Sequence, residues 1–158
     1  MKRLASVGVF FFCLAALAAR GEDPPLTFTL EPEKTSYATS DRVVVRLEVE
    51  NVSGEKVTLV DFAQTQSWLL SAQVVTFEIT DADGVAYPLQ GPIVDYWPGD
   101  RVTQLDKGSK METALILNDH NARNYYNMGK QSVYTIIGTY HGWMGGSLQA
   151  DPVRVTLD

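Results

Sequence analysis

Apolar and polar residues alternate along RVVVRLEVE, residues 42–50. Val43, Val45, Leu47 and Val49 share one face, and Arg46, Glu48 and Glu50 share the other. Successive side chains of an extended chain point to opposite sides, so this run predicts a strand with one dry face and one wet face. The same period recurs in TFTLEP (27–32), which sets Phe28 and Leu30 together, and in VTLVDF (57–62). It returns in VVTFEITD (74–81), where Val75, Phe77 and Ile79 align, and in VAYPL (85–89). RVTQL (101–105), METALIL (111–117), SVYTIIGTY (132–140) and DPVRVTLD (151–158) complete the set.

Turn chemistry separates these runs. NVSGEK (51–56), DADG (81–84), DYWPGD (95–100) and DKGSK (106–110) carry the Asn, Asp, Gly and Pro residues that close tight connections. DADG between two alternating runs predicts a hairpin. The one long polar segment, NDHNARNYYNMGKQ (118–131), has room for a helical turn but no apolar stripe at helical spacing. About eight short strands at sandwich-like intervals, with no helix-length apolar pattern, predict an all-β fold: an antiparallel immunoglobulin-like β-sandwich of about seven to nine strands. No linker or repeat interrupts it, so residues 27–158 are expected to form one domain.

The first residues change the expected compartment. Lys2 and Arg3 precede an apolar stretch over residues 4–19, and Ala16, Ala18 and Ala19 supply the small residues that a signal peptidase accepts. Residues 1–19 therefore read as a signal peptide and 20–26 as a polar lead-in, with secretion or a periplasmic location expected. The apolar run falls short of the ~20 residues that span a bilayer, so no stable membrane span is expected after cleavage. Cleavage would also remove Lys2 and Arg3, moving the formal charge from −6 to about −8. Such a surface repels phosphate backbones, which argues against a nucleic-acid partner. Cys13, the only cysteine, would leave with the signal, so neither a disulfide nor a thiolate nucleophile is expected.

Candidate chemistry is sparse. His120 and His141 flank opposite ends of one predicted strand, too far apart to share a metal at ~3.3 Å per residue. His141 and Met144 alone are too few for copper. DADG lacks the later oxygen ligands of a calcium loop, and no G-x-S-x-G nucleophile elbow is present. Asn51-Val52-Ser53 fits a glycosylation acceptor and equally a strand-ending turn. No catalytic residue, cofactor or metal is assigned. The remaining signal is aromatic. Trp68, Tyr96, Trp97, Tyr125, Tyr126, Tyr140 and Trp143 fall in predicted connections or at strand ends, where sandwiches build binding surfaces. With His141 and Met144 they form the candidate binding surface, centred on the Gly-rich YHGWMGG (140–146), read as a loop between the last two strands.

The segments VVVRLEVENVSGEKVTLV (43–60), TFEITDADG (76–84), LDKGSK (105–110) and NYYNMGKQSVYTI (124–136) resemble the β-sandwich domain that precedes the catalytic domain of deuterolysin-type zinc peptidases. Those peptidases carry H-E-x-x-H on a helix; here neither His120 nor His141 is followed by Glu. The resemblance implies the accessory fold without proteolysis. The expectation is a non-enzymatic module that binds an extracytoplasmic protein through aromatic loops. Inhibition of an extracellular peptidase and carbohydrate binding are the alternatives.

Overall fold

In the computed structural model, residues 25–95, 101–143 and 146–158 are described, with the side chain of Trp143 excepted. The strands are β1 (Leu26–Pro32), β2 (Ser36–Tyr37), β3 (Val44–Asn51), β4 (Val57–Val60), β5 (Val75–Thr80) and β6 (Leu89–Gln90). They continue with β7 (Val102–Leu105), β8 (Lys110–Ile116), β9 (Tyr125–Tyr126), β10 (Ser132–Trp143), β11 (Gly146–Gln149) and β12 (Val153–Leu157). One helix, α1 (Gln66–Ser71), stands between β4 and β5.

Two sheets make the sandwich. The smaller has the order β1–β3–β8. The larger runs β2–β12–β10–β4–β7, with β5 and β11 also paired to β10. A short β6–β9 ribbon stands apart from both. All ladders are antiparallel except the contact of β12 with β2. The fold is the antiparallel β-sandwich that the alternation predicts.

The dry face of β3 is fully enclosed: Val43, Val45, Leu47 and Val49 are all at 0% exposure. Phe28 and Leu30 of β1 reach across to β10, where Gly138 sits opposite them. A Cβ at Gly138 would lie 3.3 Å from Phe77, 3.4 Å from Phe28 and 3.5 Å from Leu30, so the missing side chain is the space these three occupy.

β4 and β5 follow one another along the same flank of β10. Leu59 of β4 pairs with Trp143, and Val75 to Thr80 pair with Tyr140 to Thr135. They are one strand line interrupted by α1. Thr65 caps the helix through its hydroxyl, and Leu69 and Leu70 are buried. The Gln66 side chain then serves as a false strand: its amide donates to the Ile116 carbonyl at 2.7 Å and accepts from the Ile116 N–H at 2.8 Å.

Three sequence expectations are corrected. The hairpin over 74–89 is shorter than expected: it keeps one bridge, Thr80 with Ala86, flanked by bonds from the Asp81 N–H to the Val85 carbonyl and from the Tyr87 N–H to the Ile79 carbonyl, and beyond it β6 pairs with β9. β10 runs to Trp143 instead of ending at Tyr140, so the first half of YHGWMGG is strand. α1 and β11 had no counterpart in the expected elements.

Asn51 closes the β3 end. It is fully buried. Its amide donates to the carbonyls of Glu55 (2.7 Å) and Leu105 (2.8 Å), and its oxygen accepts from the N–H and hydroxyl of Ser53. The nitrogen that glycosylation would modify is therefore enclosed and doubly bonded, which removes the glycosylation reading. Asn51→Ala strands the buried Leu105 carbonyl and is expected to lower stability by about 1–3 kcal/mol. Val52→Ala, at a residue 53% exposed, should stay within about 0.5 kcal/mol. Urea denaturation of both variants checks the contrast.

Candidate functional site

Met144, Tyr96 and Trp97 lie outside the described residues. Among the other proposed contact residues, the structure divides core from surface. Tyr140 is at 0% exposure and Tyr126 at 2%, so neither belongs to a binding surface. The reason is that each hydroxyl finds a partner inside. Tyr140 donates to the Val60 carbonyl at 2.9 Å, and its ring meets Phe62 edge-on at 5.3 Å. The Tyr126 hydroxyl accepts from the Phe77 N–H, filling a donor on the flank of β5 away from β10. Burial raises both hydroxyls well above the ordinary tyrosine range, Tyr126 to about 12.

The glycine of YHGW follows from the same packing. Gly142 is buried on the Tyr140 face of β10, and a Cβ there would overlap the Tyr140 ring. His141 points outward, with its ring nitrogen Nε2 at 2.9 Å from the Thr76 hydroxyl, and burial holds its imidazole below the usual range. His120 instead meets Tyr125 edge-on at 4.8 Å. The two histidines have different partners. Among the described residues no three His, Cys, Asp or Glu side chains group as metal ligands would.

Trp68 is half-buried on α1, with the Arg101 guanidinium 4.6 Å from its ring centre. The loop before the undescribed 96–100 segment lies against the same helix: the Val94 N–H donates to the Ser71 carbonyl at 2.9 Å. That loop exposes Ile93 (58%) and Val94 (38%). An exposed apolar dipeptide is thus held against the helix that carries the Trp68–Arg101 stack. Ile93 and Val94 were missed because they are neither aromatic nor part of an alternating run.

On the outer face of the small sheet, a shallow depression of about 420 Å³ is lined by Glu31, Arg46, Glu48 and Glu112. Lys110 pairs with Glu48 at 2.7 Å and Glu50 at 3.4 Å, and its hydrogen bond holds Glu48 below the usual carboxylate range. Asp81 organises the DADG turn. It accepts from the N–H groups of Val85 (2.9 Å) and Asp83 (3.0 Å) and from the Tyr87 hydroxyl (3.0 Å). With its oxygens so engaged it acts as a turn residue.

No family model matches the chain, and no curated protein matches it. Three solved structures are similar at low scores. A β-glucosidase from Erythrobacter marinus shows a TM-score of 0.41 and 16% identity, over 84% of this chain and 15% of that one. The structural-genomics target SoR45 shows 0.41 and 14% identity, over 84% of each chain. The yjhA protein from Bacillus subtilis shows 0.36 and 15% identity, over 85% of this chain and 92% of that one. The chain thus spans only 15% of the glucosidase chain. These likenesses assign no activity.

The Val85 N–H, aided by Tyr87, Asp83 and Lys130, holds the Asp81 carboxyl below the usual range. A carboxyl with a depressed native pKa stabilises the fold above its unfolded pKa, about 3.9, and loses that contribution as pH falls through its native value. Asp81→Asn should therefore lower stability at neutral pH and flatten the acid limb of the stability–pH curve below about pH 4. Denaturation midpoints measured across that range check both effects.

Proposed function

We propose that this chain is an exported, non-catalytic interaction module that meets a protein partner through the α1 end of the sandwich. The observation that carries the reading is the exposed pair Ile93 and Val94, held beside α1 by the Val94–Ser71 hydrogen bond. The Val94–Ser71 hydrogen bond anchors the backbone that presents this apolar surface. The neighbouring Trp68–Arg101 stack adds the residue types enriched at the energetic centres of interfaces. The apolar leader with its Ala-x-Ala pattern supports an extracytoplasmic partner. The acidic balance of the chain argues for a partner that is not a nucleic acid.

A photo-crosslinking residue introduced at Ile93, and separately at Val133, tests the reading in the cell that makes the protein. Val133 is 41% exposed and sits on β10, so it serves as the control. A discrete protein adduct from position 93 and none from position 133 is the expected outcome. Identical adducts at both positions, or none at 93, would overturn it. A peptidase as the adduct would favour the inhibitory alternative, which assay of that peptidase with the pure protein decides.

A further inference from the structure

Residues 91–95, GPIVD, run exposed beside α1 and are fastened at two points that bracket Ile93. On one side the buried Asn124 donates from Nδ2 to the Pro92 carbonyl at 2.9 Å. Its Oδ1 has no partner, so the hydrogen bonding of this enclosed side chain goes to the loop alone. Gly91, at a φ of +103°, lies so close to the Arg123 carbonyl that no Cβ fits between them. On the other side the Val94 N–H donates to the carbonyl of Ser71, the last residue of α1, at 2.9 Å.

The two anchors decide where the backbone of Ile93 points. A trans peptide holds its C=O and N–H in opposite directions, and none of the described peptides is cis. The Pro92 carbonyl turns inward to Asn124, so the Ile93 N–H turns outward. The Val94 N–H turns toward α1, so the Ile93 carbonyl turns away from it. Neither group has a hydrogen-bond partner among the described residues, and Ile93 is 58% exposed. Ile93 thus offers an apolar side chain, a donor and an acceptor together, on a backbone held at both neighbours.

An apolar pocket on any protein accepts an isoleucine. A cleft that also uses the N–H and the carbonyl of that same residue is the cleft of an endopeptidase. It aligns a chain by main-chain hydrogen bonds, takes one side chain into a pocket and aims donors at the carbonyl it attacks.

Resting on the contact reading above, we propose that the partner is an endopeptidase that binds residues 91–95 as a substrate, with Ile93 in its specificity pocket and the Ile93–Val94 bond at its nucleophile. Acyl transfer breaks the bond between the Ile93 carbonyl carbon and the Val94 nitrogen. The carbon joins the enzyme's nucleophilic oxygen or sulfur, and the nucleophile's proton passes to the nitrogen. The Val94 amine stays on Ser71 and the Pro92 carbonyl on Asn124, so the amine remains beside the acyl carbon. It reverses the step, reforming the peptide and returning the proton to the nucleophile. The loop then acts as an inhibitor and not as a cleavage site.

Trypsin, whose pocket carries a carboxylate and takes arginine, reads this geometry directly. The full chain in non-ionic detergent is assayed against trypsin acting on a small chromogenic arginine amide. Ile93→Arg is expected to inhibit about 100-fold more strongly than the parent, with the 93–94 bond intact by mass spectrometry and the thermal midpoint of the fold retained. Adding Asn124→Ala releases one anchor, and inhibition should then fade as a single cut appears between residues 93 and 94. The first variant alone decides: if Ile93→Arg leaves trypsin unhindered, whether it is cut at 93–94 or ignored, the proposal is overturned. A protein adduct from position 93 in that case keeps the contact reading and removes only the endopeptidase; absence of both removes both.

Discussion

The enclosed amide of Asn51 is the joint on which the sandwich depends. β3 belongs to one sheet, while β4 and β7 belong to the other, and the chain must cross between sheets without stranding backbone polar groups. The Asn51 side chain reaches Glu55 in the turn before β4 and Leu105 at the end of β7. Its backbone meanwhile pairs with Ser109 and Gly108 in the turn before β8. One residue thereby fixes two turns and the spacing of both sheets. Asn118 does similar work at the opposite end of β3, accepting from the Val43 N–H and donating to the Asp41 carbonyl. Asn124 ties the segment before β9 to the Pro92 carbonyl, and Gly91 beside it adopts a φ of +103° where a Cβ would overlap the Arg123 carbonyl. An asparagine offers donor and acceptor on a short stem, which suits crossings that neither a helix nor a ladder can satisfy.

Between these joints, tyrosines occupy the interior as polar struts. Tyr37, Tyr134 and Tyr140 each donate to a backbone carbonyl. A ring of that size contributes much apolar burial, and its hydroxyl supplies the hydrogen bond that an interrupted strand line lacks. The break between β4 and β5 leaves the Val60 carbonyl unpaired by any strand beyond it, and Tyr140 fills it. Burial of the Tyr140 hydroxyl thus accompanies the insertion of α1.

The legible part of the sequence was its alternation. The 42–50 run predicted β3 because each inward position holds Val or Leu and the opposite face carries charge, so one periodicity dominates. The same clarity served β1, β8 and β12. What escaped was decided at a distance. SVYTIIGTY seemed to end at Tyr140 because His141 and Gly142 break the apolar pattern; yet Gly142 is buried, its missing side chain filled by the Tyr140 ring, a contact that spacing does not reveal. α1 is a six-residue helix, too short to establish a helical period. Its one local mark is Thr65 at the cap. The candidate site was legible at Trp68 alone. Tyr126 and Tyr140 carry the residue type of a binding loop, and only the tertiary fold supplies the interior acceptor or donor that makes burial favourable.

Edge management shows how a short sequence feature acquires meaning from its place in the fold. An uncharged, β-prone strand is unremarkable in a sheet interior, where neighbours fill both flanks. At an edge the same composition is an invitation to pair. The chain guards β8 with Gln66, Met111 and charge, and shortens β2 to two residues and β7 to four. These measures differ in chemistry and share one effect, removal of a long unpaired ladder. β1 has seven residues and no internal charge before Glu31, and it is covered instead: β11 lies against that side and Leu26 is at 0% exposure. A net acidic surface discourages indiscriminate association of copies.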